Sequence, residues 1–159
     1  MRIELPADSR LPKFAVNSML GKLARWLRIL GYDAAYWRGT DEDLIQKALR
    51  ERRILVTTDR ALAARARRMR ADVVSLDQGM VAEMLAGVAR QKRISLVFDE
   101  KVSRCPACNS KLEGMCLAGS KRWICGGCGK DYWVGTHWKG IETKLKQAAS
   151  LLEGQRPRR

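Results

Sequence analysis

Two Cys-x-x-Cys pairs, Cys105-Pro-Ala-Cys108 and Cys125-Gly-Gly-Cys128 with sixteen residues between them, constrain what the C-terminal part of this chain can fold into. Two residues between thiolates form a tight knuckle that aims both sulfurs at one ion. Two knuckles complete the tetrahedral four-sulfur shell that zinc prefers. Gly126, Gly127 and Gly129 suit the left-handed turns of such a knuckle. Four thiolates leave no open coordination position, so the spacing predicts a structural zinc holding a small ribbon over residues 105–138. That segment is rich in Cys, Gly and Trp and could not build a core unaided. The start, MRIELPADSRLPK, lacks the apolar stretch of a secretory leader. A reducing cytoplasmic setting is therefore expected, which disfavours disulfides, and a single redox pair would leave the repeat unexplained. Cys116 falls outside both pairs and reads as a small apolar filler. His137, the only histidine, finds the shell already full. With Tyr132, Trp133, Trp138 and Lys139 it reads as a surface able to stack on bases and pair with phosphates. The alternative is that Trp133 and Trp138 cover the ribbon or dock it.

Ahead of the cysteines, short apolar runs alternate with helical periodicity. Strands are expected over 13–16 (KFAV), 34–37, 54–58 (ILVTT) and 72–76 (DVVSL). Between them Leu20, Leu23, Ala24, Leu27 and Leu30 mark one helix, with Gly31 as its stop. Leu44, Ile45, Ala48 and Leu49 mark a second, capped by Thr40. A basic Ala/Arg helix over 60–70 and a helix through Met80, Val81, Met84, Leu85 and Val88 complete the series. Strand and helix in alternation predict an α/β fold with a mostly parallel sheet flanked by helices. The organisation expected is an α/β domain over 12–93, a linker or extra strand over 94–104, and the ribbon over 105–138. An amphipathic helix over 139–153 carries Ile141, Leu145, Ala148 and Leu152, and a basic tail follows over 154–159.

Thirty-one Lys and Arg oppose seventeen Asp and Glu, a net charge of +14. Such a surplus predicts a polyanionic partner, most often nucleic acid. No apolar run is long enough for a membrane span. Ligands of open α/β sheets bind beyond the carboxyl ends of the strands. Asn17, Asp59 and Asp77 each follow a predicted strand, and Asp41, with Asp43 nearby, opens a helix. Carboxylates grouped in so basic a chain call for a cation among them, and Mg²⁺ or Mn²⁺ sharing a phosphate suits hard oxygens. Basic walls over an acidic floor describe a metal-dependent nuclease. The plainer alternative makes Asp41 a helix N-terminal charge and Asp59 an N-cap.

The stretches MLGKLARWLRILGYD (Met19 to Asp33), DEDL (Asp41 to Leu44) and ILVTTDRALAARA (Ile54 to Ala66) resemble the Mut-seven C-terminal ribonuclease domain family, among the PIN-like nucleases. RCPACN (Arg104 to Asn109) and WICGGCGKDYWVGTHW (Trp123 to Trp138) resemble its zinc ribbon. The resemblance implies a PIN-like parallel sheet flanked by helices, then a zinc ribbon and a C-terminal helix, with metal-dependent cleavage of RNA. It carries the family's acidic positions onto Asn17, Asp41 and Asp59, with Asp77 a further candidate. Asp41 is preferred to Asp43 because it holds the first place of the D-x-x-L pattern. The family usually has Asp after the first strand. Asn17 keeps the shape and one carbonyl ligand and loses the charge, so weaker metal binding is expected. It fits a weakened natural variant, a binding protein that has lost catalysis, or a substitution made to trap substrate.

The expectation is thus a Mg/Mn-dependent endoribonuclease acting on structured RNA of the tRNA or rRNA class. Asn17, Asp41, Asp59 and Asp77 form its site, and Cys105, Cys108, Cys125 and Cys128 bind zinc. Lys22, Arg25, Arg28 and Arg60 would contact phosphates, joined by Trp133, His137, Trp138 and Lys139 of the ribbon side. The alternatives are a non-catalytic RNA-binding or ribosome-associated module and a toxin-like nuclease with a protein inhibitor. No recognition helix supports a DNA-binding zinc protein.

Overall fold

The computed structural model describes residues 11–133 and 135–154, apart from the side chains of Met115, Leu117, Thr136, His137 and Trp138. The side chains of His137 and Trp138 and the tail over 155–159 therefore lie outside the described residues.

Four parallel strands form the main sheet: β1 (Phe14–Asn17), β2 (Ala34–Trp37), β3 (Ile54–Thr57) and β4 (Val73–Ser75), in spatial order β2-β1-β3-β4. The expected strand runs are all present, 34–37 with unchanged bounds and the others trimmed or shifted by a residue at an end. Alternation along each strand separates two cores. Phe14, Val16, Ile54, Val56 and Val74 face one way, and Ala15, Leu55 and Val73 the other. The first face is covered by α1 (Gly21–Ile29), α4 (Val81–Lys92) and α5 (Thr136–Gly154). The second is covered by α2 (Asp41–Glu51) and α3 (Arg60–Arg68). The result is a three-layer sandwich of helices, parallel sheet and helices. No helix among the described residues is long and apolar enough to cross a membrane.

Thr40 caps α2 as the sequence suggests. Its hydroxyl oxygen accepts from the Asp43 amide at 3.2 Å and its hydroxyl donates to the Asp43 carboxylate at 2.8 Å. The stop at Gly31 has two causes. Its φ is +97°, and a Cβ there would sit 2.8 Å from Val102 Cγ2 and 2.9 Å from the Val102 carbonyl oxygen. A methyl group must therefore displace backbone as well as adopt a left-handed conformation. Gly31→Ala is expected to cost about 2–3 kcal/mol, measured as a lower urea midpoint at unchanged slope. An unchanged midpoint would refute that close approach.

Residues 94–104 form neither a strand nor a loose tether. Ile94 and Leu96 are buried in the first core. The Tyr32 hydroxyl accepts from the Ser95 amide at 2.9 Å and donates to its carbonyl at 3.2 Å. The C-terminal helix starts three residues earlier than expected. It packs against α4, with Leu145 and Ala148 buried in the same core.

The ribbon is an antiparallel sheet of β5 (Leu112–Leu117), β6 (Ser120–Cys125) and β7 (Asp131–Trp133). It docks at the amino end of β2. Asn109 accepts from the Ala34 amide at 3.1 Å and donates to Asp33 Oδ1 at 2.7 Å. Asp33 in turn forms a two-pronged pair with Arg53, at 2.7 and 3.3 Å. Burial pushes the Asp33 carboxyl up, but Arg53 and Asn109 outweigh it and leave the group below its ordinary value.

Candidate metal centres and sheet-edge site

The four predicted zinc ligands are brought together. The ligand atoms of Cys105, Cys108, Cys125 and Cys128 all lie within 4.8 Å of one another. Sulfurs about 2.3 Å from a tetrahedral zinc are separated by about 3.8 Å. Cys105 and Cys128 stand at 3.7 Å and Cys108 and Cys125 at 3.3 Å. These separations exclude disulfides, whose sulfurs bond at about 2.05 Å. The Cys125 sulfur also accepts from the Gly127 and Cys128 amides at 3.3 and 3.4 Å, so the second knuckle's backbone is wrapped around its first ligand. Hydrogen bonds to Ser110, then to Cys125, hold the Cys108 thiol down to about 6. The Lys130 amide pulls the Cys128 thiol down, but desolvation and the neighbouring sulfurs drive it up to about 11. Four crowded sulfurs cannot all carry charge unaided, and a dication removes that conflict. Cys116 is exposed on β5 and outside the cluster, so it is not the apolar filler expected of it.

The sheet-edge candidates occupy the other end of the sandwich. From β1 the chain passes through α1 to β2 on one side, then returns through α2 to β3 on β1's other side. This reversal makes the gap between the carboxyl ends of β1 and β3 the topological switch point. Asn17 closes β1 there and is nearly buried. Its Nδ2 donates to the fully buried Thr57 Oγ1 at 3.0 Å, and its Oδ1 accepts from the Met19 amide at 3.4 Å. Thr57 Oγ1 also accepts from the Asp59 amide at 3.0 Å. One hydroxyl thus ties residue 17 to the backbone at residue 59. Thr57 is absent from the sequence candidates because it reads as one more β-branched residue of an apolar strand.

Asp59 is the N-cap of α3, and its Oδ1 accepts from the Leu62 amide at 3.0 Å. The capping alternative therefore holds for Asp59, without removing its second oxygen from the site. Asp41 opens α2 and is exposed. Asp43 is the residue engaged by Thr40, which leaves Asp41 the better placed of the two for a ligand. Asp77 follows β4, almost fully exposed, with Arg60 3.6 Å away. A pair so exposed contributes little to stability. Asp41, Asp59 and Asp77 offer carboxylate oxygens and Asn17 an amide oxygen, a hard donor set that suits Mg²⁺ or Mn²⁺. Among the described residues, however, the four cysteines are the one group of three or more His, Cys, Asp or Glu gathered within 4.8 Å. The three aspartates share the edge without being drawn to that spacing.

The expected phosphate contacts divide. Lys22 in the first turn of α1 and Arg60 at the start of α3 are exposed beside this edge. Arg25 is exposed farther along α1. Arg28, expected among these contacts, is instead buried and is a structural clamp rather than a phosphate contact. Its Nε donates to the Ala34 carbonyl at 2.9 Å and its Nη1 to the Pro106 carbonyl at 2.8 Å, so it holds the first cysteine knuckle against β2. Burial lowers its affinity for the proton, opposed by the sulfurs of Cys105 and Cys108. Lys139 is exposed in the first turn of α5. Trp133 is 63% exposed, with the Arg122 guanidinium 6.0 Å from its ring. Trp133, Trp123, Tyr132, Phe98 and Ile141 also line an apolar cavity of about 420 Å³ between ribbon, α1 and α5. A smaller, more polar cavity of about 360 Å³ lies beside Asp77, Gln78 and Glu83.

The family described as Mut7-C RNAse domain matches residues 12–118, which take in the sandwich from β1 to α4 and the first cysteine knuckle. No curated protein and no solved structure matches the chain.

Proposed function

Since this chain belongs to the Mut7-C RNAse domain family, we propose that it is a metal-dependent endoribonuclease whose site is the carboxyl edge of the sheet. The observation that carries this reading is the chain of contacts from Asn17 through Thr57 to Asp59 at the switch point. It holds two candidate ligands from adjacent strands in fixed relation. Asp41 and Asp59 would hold a Mg²⁺ or Mn²⁺ ion, with Asn17 and Asp77 beside them. When bound, such an ion supplies charge stabilisation to a phosphodiester and lowers the pKa of an attacking water. This chain's residues do the rest. Asp59, held by the α3 N-terminus, presents its remaining oxygen in a set direction. Lys22 and Arg60 pair with flanking phosphates. The ribbon sits at the opposite end of β2, so its aromatic and basic face would hold a distant part of a structured RNA, of the tRNA or rRNA class.

A second reading is supported by the Asn17 amide. Its N–H group is directed at Thr57, and residue 17 brings no negative charge to the edge. This suits a non-catalytic RNA-binding or ribosome-associated module, whereas the toxin-like alternative rests on a protein inhibitor.

The test uses Asn17→Asp as the background and adds Asp59→Asn, which keeps an N-cap oxygen and removes one charge. Cleavage of a structured RNA with Mn²⁺ is expected to fall at least 100-fold on adding the second change, about 2.7 kcal/mol of transition-state stabilisation. Equal cleavage by the two proteins would end the metal-site reading.

A further inference from the structure

Helices α2, α3 and α4 all run back from the carboxyl edge and end at the amino edge of the sheet. Each is followed there by an arginine in the left-handed region: Arg52 (φ +53°), Arg70 (φ +65°) and Arg93 (φ +52°). Glycine is the residue that ordinarily fills this place, because it has no Cβ to strain. All three arginines are exposed, as are Arg50, Arg67 and Arg68 in the last turns of α2 and α3. Those last-turn cations already complement the helix dipoles, so the left-handed arginines are not needed for that purpose.

The three helix ends converge. The Leu55 amide donates to the Asp72 carbonyl at 2.9 Å, which places the approach to β4 beside the start of β3, where Arg52 lies. Lys92, at the end of α4, pairs with the Asp72 carboxylate and brings Arg93 to the same rim. Among the described residues, the acids beside these strand starts are already matched. Asp33 is held by Arg53, Glu51 by Lys47 and Arg53, and Asp72 by Lys92. What remains on the rim is a surplus of guanidinium groups on the ends of rigid elements.

We propose that this amino-edge rim, centred on Arg52, Arg70 and Arg93, binds the phosphate backbone of a base-paired RNA stem. The inference rests on the ribonuclease reading above and adds to it where the substrate is gripped and what kind it is. Arginine forks pair bidentately with phosphate oxygens, and duplex RNA is recognised largely through its backbone and shape. Strands of four residues at about 3.3 Å each put the rim more than ~13 Å from the carboxyl edge. A stem that crosses that distance presents its phosphates to the rim in a fixed register, whereas a six-nucleotide single strand held at the carboxylates offers the rim no paired backbone.

The test compares the full chain with its triple variant Arg52→Gly, Arg70→Gly and Arg93→Gly. Glycine suits all three backbones, so the melting temperature should hold and lost binding reports lost charge. Fluorescence anisotropy is measured with two probes, a hairpin of twenty base pairs with a single-stranded tail and a six-nucleotide single strand. The proposal expects hairpin affinity to fall at least tenfold at 0.1 M salt. The slope of log K against log salt should become shallower by about 2–3, as for three lost phosphate contacts. Affinity for the six-mer should stay within twofold. Hairpin affinity and slope unchanged within twofold would overturn the rim and leave the ribonuclease reading standing, as would an equal loss on both probes. A parent chain that neither binds nor cleaves RNA would overturn both.

Discussion

Replacing Cys125 with serine, or stripping the bound metal with a chelator, is expected to unfold the ribbon and leave the α/β sandwich standing. Between residues 105 and 133 the only buried residues among those described are Cys105 and Cys125, themselves two of the four sulfur ligands. Among the described side chains, the three short strands therefore have no apolar core to fall back on. Structural zinc is worth about 10–16 kcal/mol in small peptides of this kind, far more than three such strands supply. The sandwich differs. Its two cores are built from β1 to β4 and five helices and contain none of the described side chains of the ribbon strands. Hydrogen exchange should show amides of β5, β6 and β7 losing protection while those of β1 and β3 keep theirs, and the purified chain should carry one zinc. Arg28 makes the loss felt at one place in the sandwich. Without the knuckle it loses its Pro106 and Ala107 carbonyl partners and must take water instead. Full protection of β6 after zinc removal would refute the metal's structural role.

The second large effect is expected at residue 17. Asn17→Asp should raise affinity for Mn²⁺ about 100-fold, or ~2.7 kcal/mol, by adding one negative charge beside a dication. The surroundings can accept the change. Thr57 Oγ1 now accepts from Asn17 Nδ2 and from the Asp59 amide. A hydroxyl carries its own proton, so against a carboxylate it can rotate, donate to residue 17 and still accept from Asp59. The Met19 amide, which already donates to Asn17 Oδ1, keeps its acceptor. Without metal the same substitution should lower stability, because the new carboxylate joins other acids at a nearly buried position with no cation to offset it. Thermal melting with and without Mn²⁺ reads both signs in one experiment. Equal melting temperatures for parent and variant at every Mn²⁺ concentration would remove residue 17 from the metal site.

The sandwich was legible in the sequence because each of its elements announces itself locally. The apolar steps through Leu20, Leu23, Ala24 and Leu27, and the breaker-free run ILVTT, require no knowledge of distant residues. The four cysteines were legible for the same reason, since their spacing alone specifies the shell. What stayed hidden depends on partners far away in the chain. Lys22, Arg25 and Arg28 look like one polar stripe at helical spacing. Arg28 is buried only because residues almost eighty positions later fold over the last turn of α1. Asp33, Arg53 and Asn109 form one cluster from three separate segments, and no local pattern marks any of them. Thr57 escaped because its hydroxyl matters through Asn17, forty residues earlier. Asp59 and Asp77 stand out in the sequence by following strands and Asp41 by opening a helix, and the structure adds that Asp43 is committed to capping whereas Asp41 is not.

The most direct test of the sheet edge as the cleaving site is a single comparison. A structured RNA is incubated with Mn²⁺ and either the chain as it stands or its Asn17→Asp variant, both zinc-loaded, and cleavage rates are measured with enzyme in excess. The account predicts a rate on the order of 100-fold higher for the variant, lost again when a chelator removes the Mn²⁺. Tight RNA binding by both proteins with no cleavage by either would contradict it, and would make the chain an RNA-binding module built on a nuclease fold.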